Sequence, residues 1–295
     1  MASVGVEGEQ FEERVDVGGA ELWCATTGSG PGVVLAHGGP GMSDNLRPVA
    51  AMFDDIATVH RFDQRACGGS TGRGVGQTVA SGLADLDALR QHWGYEKWIV
   101  GGHSWGAALA LFYALAHPIK THAVLYICGP GIAPLTSKPV ARSRRERLSP
   151  TERTEFASLE ARAELGDAVA VRRLAQMFWR TDFSDVSKAP DFDVSPMFAY
   201  PRNKEAANAL RNSAEKYLAD DRLVAEVRKL NIPVLVLHGA DDPLPVEGAI
   251  ALAGLLPSAE LVTIDAVGHT PWMEDPEAMR RALREFITEV CAESV

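Results

Sequence analysis

The 295-residue sequence predicts an α/β fold: a mostly parallel central sheet flanked by helices, with an inserted helical cap. Three observations predict it. Short apolar runs alternate with amphipathic stretches, the pattern of βα repeats that build a parallel sheet. Four of the runs are continuously apolar and do not alternate, as central strands buried on both faces require. The 95 residues from Pro134 to Arg228 hold no strand-like run, after which the strand pattern resumes.

In chain order, Leu22–Thr26, Val33–His37 and Ala57–Phe62 read as strands, and Thr78–Trp93 as a helix. Trp98–Gly102 and Ala123–Cys128 are strands around an Ala/Leu-rich helix, Ala107–His117. The insertion carries helical patterns over Ser149–Leu165, Ala168–Trp179 and Lys204–Leu218, joined near Pro190, Pro196 and Pro201. Strands Pro233–His238 and Glu260–Ile264 then enclose a helix, Val246–Leu255. A last helix, Pro276–Val290, repeats Met279, Leu283, Phe286, Ile287 and Val290 at helical spacing. The expected division is a core of 1–133 and 229–295 with a cap of 134–228.

Composition narrows the function classes. With 46% hydrophobic and 23% charged residues the chain is globular and not disordered. A net charge of −10 argues against a nucleic-acid partner, which calls for a surplus of Lys and Arg. The acidity is uneven: residues 134–228 hold 17 basic and 15 acidic side chains, so the cap is net +2 and the core −12. The N-terminus lacks the basic start and apolar stretch of a secretory signal. The longest apolar run, Ala107–Ala116, is ten residues, against about 20 for a membrane span, so no membrane partner is expected. Four scattered cysteines, with no CxxC and no zinc spacing, predict free thiols in the cytoplasm, no metal and no cofactor. The basic stretch Arg142–Arg147 reads as a solvated helix end, or else as a dock for an acidic carrier-protein partner.

Three motifs carry chemistry. Gly102-His103-Ser104-Trp105-Gly106 fits G-x-S-x-G between an apolar strand and a helix. There the turn is so tight that its flanks must be small, and it pushes the serine Oγ above the sheet. Ser104 is the expected nucleophile. The strand Val33–His37 runs into Gly38-Gly39-Pro40-Gly41, a loop suited to pointing backbone N–H groups at a ligand. With Ser104 as nucleophile, the N–H groups of Trp105 and Gly39 form the expected oxyanion hole, Gly38 being the alternative if the register shifts by one. A serine hydroxyl needs a base oriented by a carboxylate, in the chain order Ser, Asp, His. His269, in a loop after the last strand, is the expected base, and His238 ends a buried strand instead. Asp242 is the expected acid, with Asp241 its rival. All three groups leave the C-terminal ends of strands and can converge on one edge of the sheet.

On these residues the chain resembles the proline iminopeptidase branch of the α/β-hydrolases, the S33-like serine peptidases. His37–Gly41 matches the branch's HGGPG. Asp63-Gln64-Arg65-Ala66-Cys67-Gly68-Gly69-Ser70 resembles DQRGxGxS with Ala66 in place of a glycine, and GGHSWG over 101–106 resembles GGSWG but for His103. The likeness covers about 15–133 and 229–295. It implies the α/β-hydrolase fold, a Ser104–Asp242–His269 triad, and a serine aminopeptidase that releases an N-terminal aminoacyl residue through an acyl-enzyme. It also implies a small-molecule or peptide substrate whose free amine meets cap carboxylates. Glu215 stands in about the right place for one of these, while the branch's WxxWE stretch is absent. That absence leaves open a hydrolase of another acyl substrate: an ester, thioester, lactone or the aminoacyl amide of a natural product, carrier-bound or free. Ser at 104 in place of Asp argues against dehalogenase or epoxide hydrolase chemistry. A non-catalytic receptor on the same fold is the reading outside the enzymes.

Overall fold

The computed structural model describes residues 10–72, 76–132, 137–192 and 199–292. The first nine residues, the cap boundary at 134 and the connection at Pro196 lie outside the described residues. Among the described residues eight strands form one sheet: β1 (Phe11–Asp16), β2 (Glu21–Gly28), β3 (Gly32–Ala36), β4 (Thr58–Phe62), β5 (Trp98–His103), β6 (Thr121–Ile127), β7 (Val234–Gly239) and β8 (Ala259–Ile264). Their order is β1-β2-β4-β3-β5-β6-β7-β8. β1 and β2 pair antiparallel, as do β2 and β4, and every pairing from β4 to β8 is parallel.

The continuously apolar runs occupy the middle of this sheet. β3, β5 and β7 are buried at every position. Alternate side chains enter opposite cores, because neighbours on a strand point to opposite faces. Val34 and Ala36 join one core with α2 (Val79–His92), α3 (Trp105–Ala116) and α9 (Val246–Leu255). Val33 and Leu35 join the other with α1 (Arg47–Ala50) and α11 (Pro276–Ala292), where the predicted Met279, Leu283, Phe286, Ile287 and Val290 stripe is buried. Each helix expected from periodicity is present within two residues of its expected ends. β1 was not expected, because FEERVD buries only Val15 and shows no apolar alternation.

Between β6 and β7 the described residues form five helices joined by turns: α4 (Ser137–Glu146), α5 (Pro150–Glu164), α6 (Ala168–Thr181), α7 (Lys204–Leu218) and α8 (Leu223–Val227). Local signals start these helices. Ser149 and Glu152 make a reciprocal capping box on α5, and Asp167 accepts two N–H groups at the start of α6. α5 and α6 build their own small core from Leu148, Phe156, Leu159, Ala170 and Met177. α7 and α8 do not share it. Leu210, Ala214 and Leu218 of α7 and Leu223 and Val227 of α8 pack into the main core beside α2 and α3. The remaining short helix, α10 (Pro271–Glu274), follows the loop after β8. No helix among the described residues is long and apolar enough to cross a membrane.

Candidate active site

Ser104 joins β5 to α3 with φ 57° and ψ −117°, a left-handed conformation that few non-glycine residues adopt. Its N–H is held by the Ile127 carbonyl at 2.9 Å, so the strain is fixed by β6. The turn closes only because its flanks are glycine. A Cβ on Gly102 would lie 2.3 Å from the carbonyl carbon and oxygen of Gly106, and one on Gly106 would lie 1.9 Å from the Ala36 carbonyl oxygen. Trp105 is the first residue of α3, and the first N–H groups of a helix have no carbonyl one turn earlier to bond. Its N–H is therefore a donor beside Ser104.

The loop after β3 is fixed from behind. His37 is fully buried, donates from Nδ1 to the Gly38 carbonyl (2.9 Å) and accepts the Gln64 N–H at Nε2 (3.1 Å). In a trans peptide the N–H opposes the C=O, so anchoring the Gly38 carbonyl on His37 turns the Gly39 N–H away from that ring. The Gln64 side chain extends the anchor. It donates to the His37 carbonyl at 2.8 Å and accepts the Trp105 indole N–H at 3.0 Å, joining the two segments that carry the expected oxyanion donors. A Cβ on Gly38 would lie 3.0 Å from the Ser104 Cβ, so the loop and Ser104 are in contact. From the helical segment, Asn203 donates its N–H to the Gly41 carbonyl (2.7 Å) and its side chain to that of Ala66 (2.9 Å).

Asp242 and His269 meet at 2.8 Å, Oδ2 to Nδ1, both almost fully buried. A carboxylate only accepts, so Nδ1 carries the proton and Nε2 keeps its lone pair. Burial pushes the His269 imidazole pKa down, but the charge of Asp242 and its hydrogen bond outweigh this and hold it above the ordinary value. Burial likewise raises the Asp242 carboxyl, and the His269 charge and hydrogen bond overcome it, leaving the acid lower than usual. Asp242 Oδ1 accepts the Leu244 N–H at 2.7 Å. Asp241, the rival acid, is exposed, while His238 is buried and donates to the Leu244 carbonyl at 3.0 Å. With His269 as the expected base, a raised pKa means that it must lose its proton before it acts. We therefore expect kcat/KM to fall as pH drops through a midpoint above the ordinary imidazole value; a pH profile with its acid limb at or below that value contradicts the pairing.

His103 fills the space between these parts. Its Nε2 donates to the His269 carbonyl at 2.7 Å, and its ring lies 4.5 Å from that of His269 and edge-on to Trp272 at 4.7 Å. Burial keeps its pKa well below the ordinary value, so no second positive charge stands beside His269. The sequence showed His103 only as a departure from a motif; its bond to a residue 166 positions away has no local signal. Cys128 is also buried here, with a thiol pKa pushed well up by burial. Its sulfur groups with ligand atoms of His103 and His269, and with those of His238 and Asp242, each set within 4.8 Å. A metal ion on either set would occupy Asp242 or His269.

One expectation meets a different surface. Glu215 is exposed on α7, beside the inward-facing Ala214 and Leu218, so it does not supply the enclosed carboxylate expected for an amine. The stretch Arg142–Arg147 spends its charge within the chain. Arg142 pairs with Glu146 at 2.7 Å, Arg144 with Asp182, and Arg145 with Glu160 at 2.7 Å, while Arg147 donates to backbone carbonyls.

Comparison with known proteins agrees with this architecture. Residues 31–276 match the alpha/beta hydrolase fold family. The proline iminopeptidase of Saccharolobus solfataricus is 27% identical over 274 residues, covering 89% of this chain and 86% of that protein. That of Xanthomonas citri is 28% identical over 291 residues, covering 87% and 89%. Among solved structures, a proline iminopeptidase from Mycobacterium smegmatis superposes with a TM-score of 0.76 at 21% identity, covering 97% of this chain and all of that one. A 2-hydroxy-6-oxo-6-phenylhexa-2,4-dienoate hydrolase from a Rhodococcus strain gives 0.75 at 22%, covering 95% and 99%.

Proposed function

Because the chain belongs to the alpha/beta hydrolase fold family and is a hydrolase, we propose that it is a serine hydrolase acting through Ser104, His269 and Asp242. The observation that carries this reading is the buried 2.8 Å bond between Asp242 and His269 Nδ1, which leaves Nε2 as the base, on a loop bonded to the residue before Ser104. Ser104 Oγ attacks the substrate carbonyl while His269 Nε2 takes its proton. The new oxyanion accepts hydrogen bonds from the N–H groups of Gly39 and Trp105. His269 then protonates the leaving group, which departs with the breaking acyl bond. Water, deprotonated by the same nitrogen, attacks the acyl-enzyme, releasing the acid and restoring Ser104. Asp242 stays ionised and stabilises the imidazolium at each stage.

For the substrate, the likeness to proline iminopeptidases over most of both chains supports an aminopeptidase releasing an N-terminal aminoacyl residue. The exposed position of Glu215 favours keeping a second reading, hydrolysis of an acyl substrate without a free amine. Aminoacyl arylamides of Pro and Ala, their N-acetylated forms and simple aryl esters separate the two. The aminopeptidase reading predicts that acetylation lowers kcat/KM at least about 100-fold, the size of losing one charge-paired contact. Equal turnover of blocked and free amines sinks it.

A further inference from the structure

The base and acid loops are bonded to the helical segment as well as to each other. The His269 N–H donates to the Asp182 carbonyl at 2.6 Å, immediately after α6. Gly268, one residue earlier, donates to Glu274 Oε2 at 2.7 Å. The other oxygen of Glu274 accepts both the N–H (2.8 Å) and the hydroxyl (2.6 Å) of Ser184. One carboxylate thus holds the base loop with one oxygen and the cap with the other. The packing agrees: a Cβ on Gly268 would meet the Asp182 carbonyl oxygen at 2.2 Å and the Ser184 nitrogen at 2.9 Å, so residue 268 is small because the cap is seated on it. On the acid side, the Arg147 guanidinium bridges the Phe183 carbonyl (3.0 Å) and that of Asp241, next to Asp242. Arg144 pairs with Asp182 and steadies the same segment.

We propose that Glu274 and Arg147 are positioning residues through which the segment Asp182–Ser184 holds base and acid in register, making this part of the cap a buttress of the triad. The proposal rests on the triad assignment above. A residue that acts by placing His269 lowers the rate of the chemical step and leaves substrate affinity alone, since misplacement near 1 Å can cost about 100-fold. A residue that only lines the substrate site changes KM.

Glu274→Gln keeps the shape but aims an amide N–H₂ at an N–H donor. The test measures kcat, KM, the pH profile of kcat/KM and the rate of inactivation by phenylmethylsulfonyl fluoride, a probe too small to depend on substrate recognition. Arg147→Gln serves as a second variant and thermal melts report folding. The expected result is a kcat at least about tenfold lower with KM within about twofold. Inactivation slows by the same factor and the acid limb moves to lower pH, as a loosened His269–Asp242 bond requires. Ser184→Ala, which leaves Gly268 held, should lose less than about threefold. A raised KM with unchanged kcat and inactivation overturns the proposal, as does a lower melting temperature with unchanged kinetics. Wild-type chain that the reagent does not inactivate overturns the triad assignment itself and this proposal with it, and that outcome is visible before any variant is made.

Discussion

Ser104→Ala is expected to lower kcat by about 10⁴-fold or more and to leave the fold unchanged. The two halves of this expectation have separate causes. The hydroxyl is the only atom removed, and it makes no capping hydrogen bond to α3, so nothing in the turn depends on it. The backbone strain at φ 57° is borne by the Ser104 N–H bond to Ile127 and by the glycines on either side, all of which remain. Chemically, a base and oxyanion donors without a nucleophile retain only what binding and the oxyanion contacts supply. Steady-state kinetics beside a thermal melt checks both halves. Turnover within about tenfold of wild type would show that another group or a water molecule attacks the substrate.

The second large effect is structural. Gly106→Ala places a Cβ 1.9 Å from the Ala36 carbonyl oxygen and 2.7 Å from that of His37, atoms of strand and loop backbone that cannot rotate aside. Relief requires α3 to move off β3, and α3 is buried along most of its length, from Trp105 to Ala114. Overpacking a core costs about 1–3 kcal/mol when side chains absorb it. A backbone collision should exceed about 3 kcal/mol, a large share of a total stability of about 5–15 kcal/mol. We expect a melting temperature lower by about 6 °C or more, or no folded protein at all, and a loss of activity that follows the loss of fold. The effect reaches the site directly, because the same helix carries the Trp105 N–H and the same strand leads into His37. Wild-type stability in the Gly106→Ala chain would mean that the turn is looser than these distances require.

What the sequence made legible follows from how local its cause is. The buried strands declare themselves because a strand covered on both faces must be apolar at every position, as β3, β5 and β7 nearly are. α5 and α7 show their limits through Ser149 and Asn203, caps that act within three residues. The Gly-His-Ser-Trp-Gly turn is legible because both glycines are required by contacts inside the turn or with the adjacent strand. Ser104, Asp242 and His269 could be named for the same reason: each sits in a short loop after a strand. What stayed hidden depends on distant partners. β1 is an edge strand with one buried side chain, so its pairing with β2 leaves little trace in composition. Gln64 has no role visible in its motif, because its side chain joins His37 to Trp105, 41 positions on. Glu274 and Ser184 are 90 positions apart, and Arg147 and Asp241 are 94 apart. The helical segment between β6 and β7 is the least legible part, since the fate of Arg142–Arg147 and the exposure of Glu215 are set by tertiary packing.

The central assignment, Ser104 as a nucleophile activated by His269, is tested most directly by covalent capture. The native chain is incubated with a small phosphonyl fluoride, its intact mass is measured, and the modified peptide is mapped. One adduct per chain on Ser104, absent from Ser104→Ala and forming more slowly below the pH at which His269 gains its proton, is the predicted result. No adduct on the native chain, or one that persists at another residue in Ser104→Ala, would contradict it.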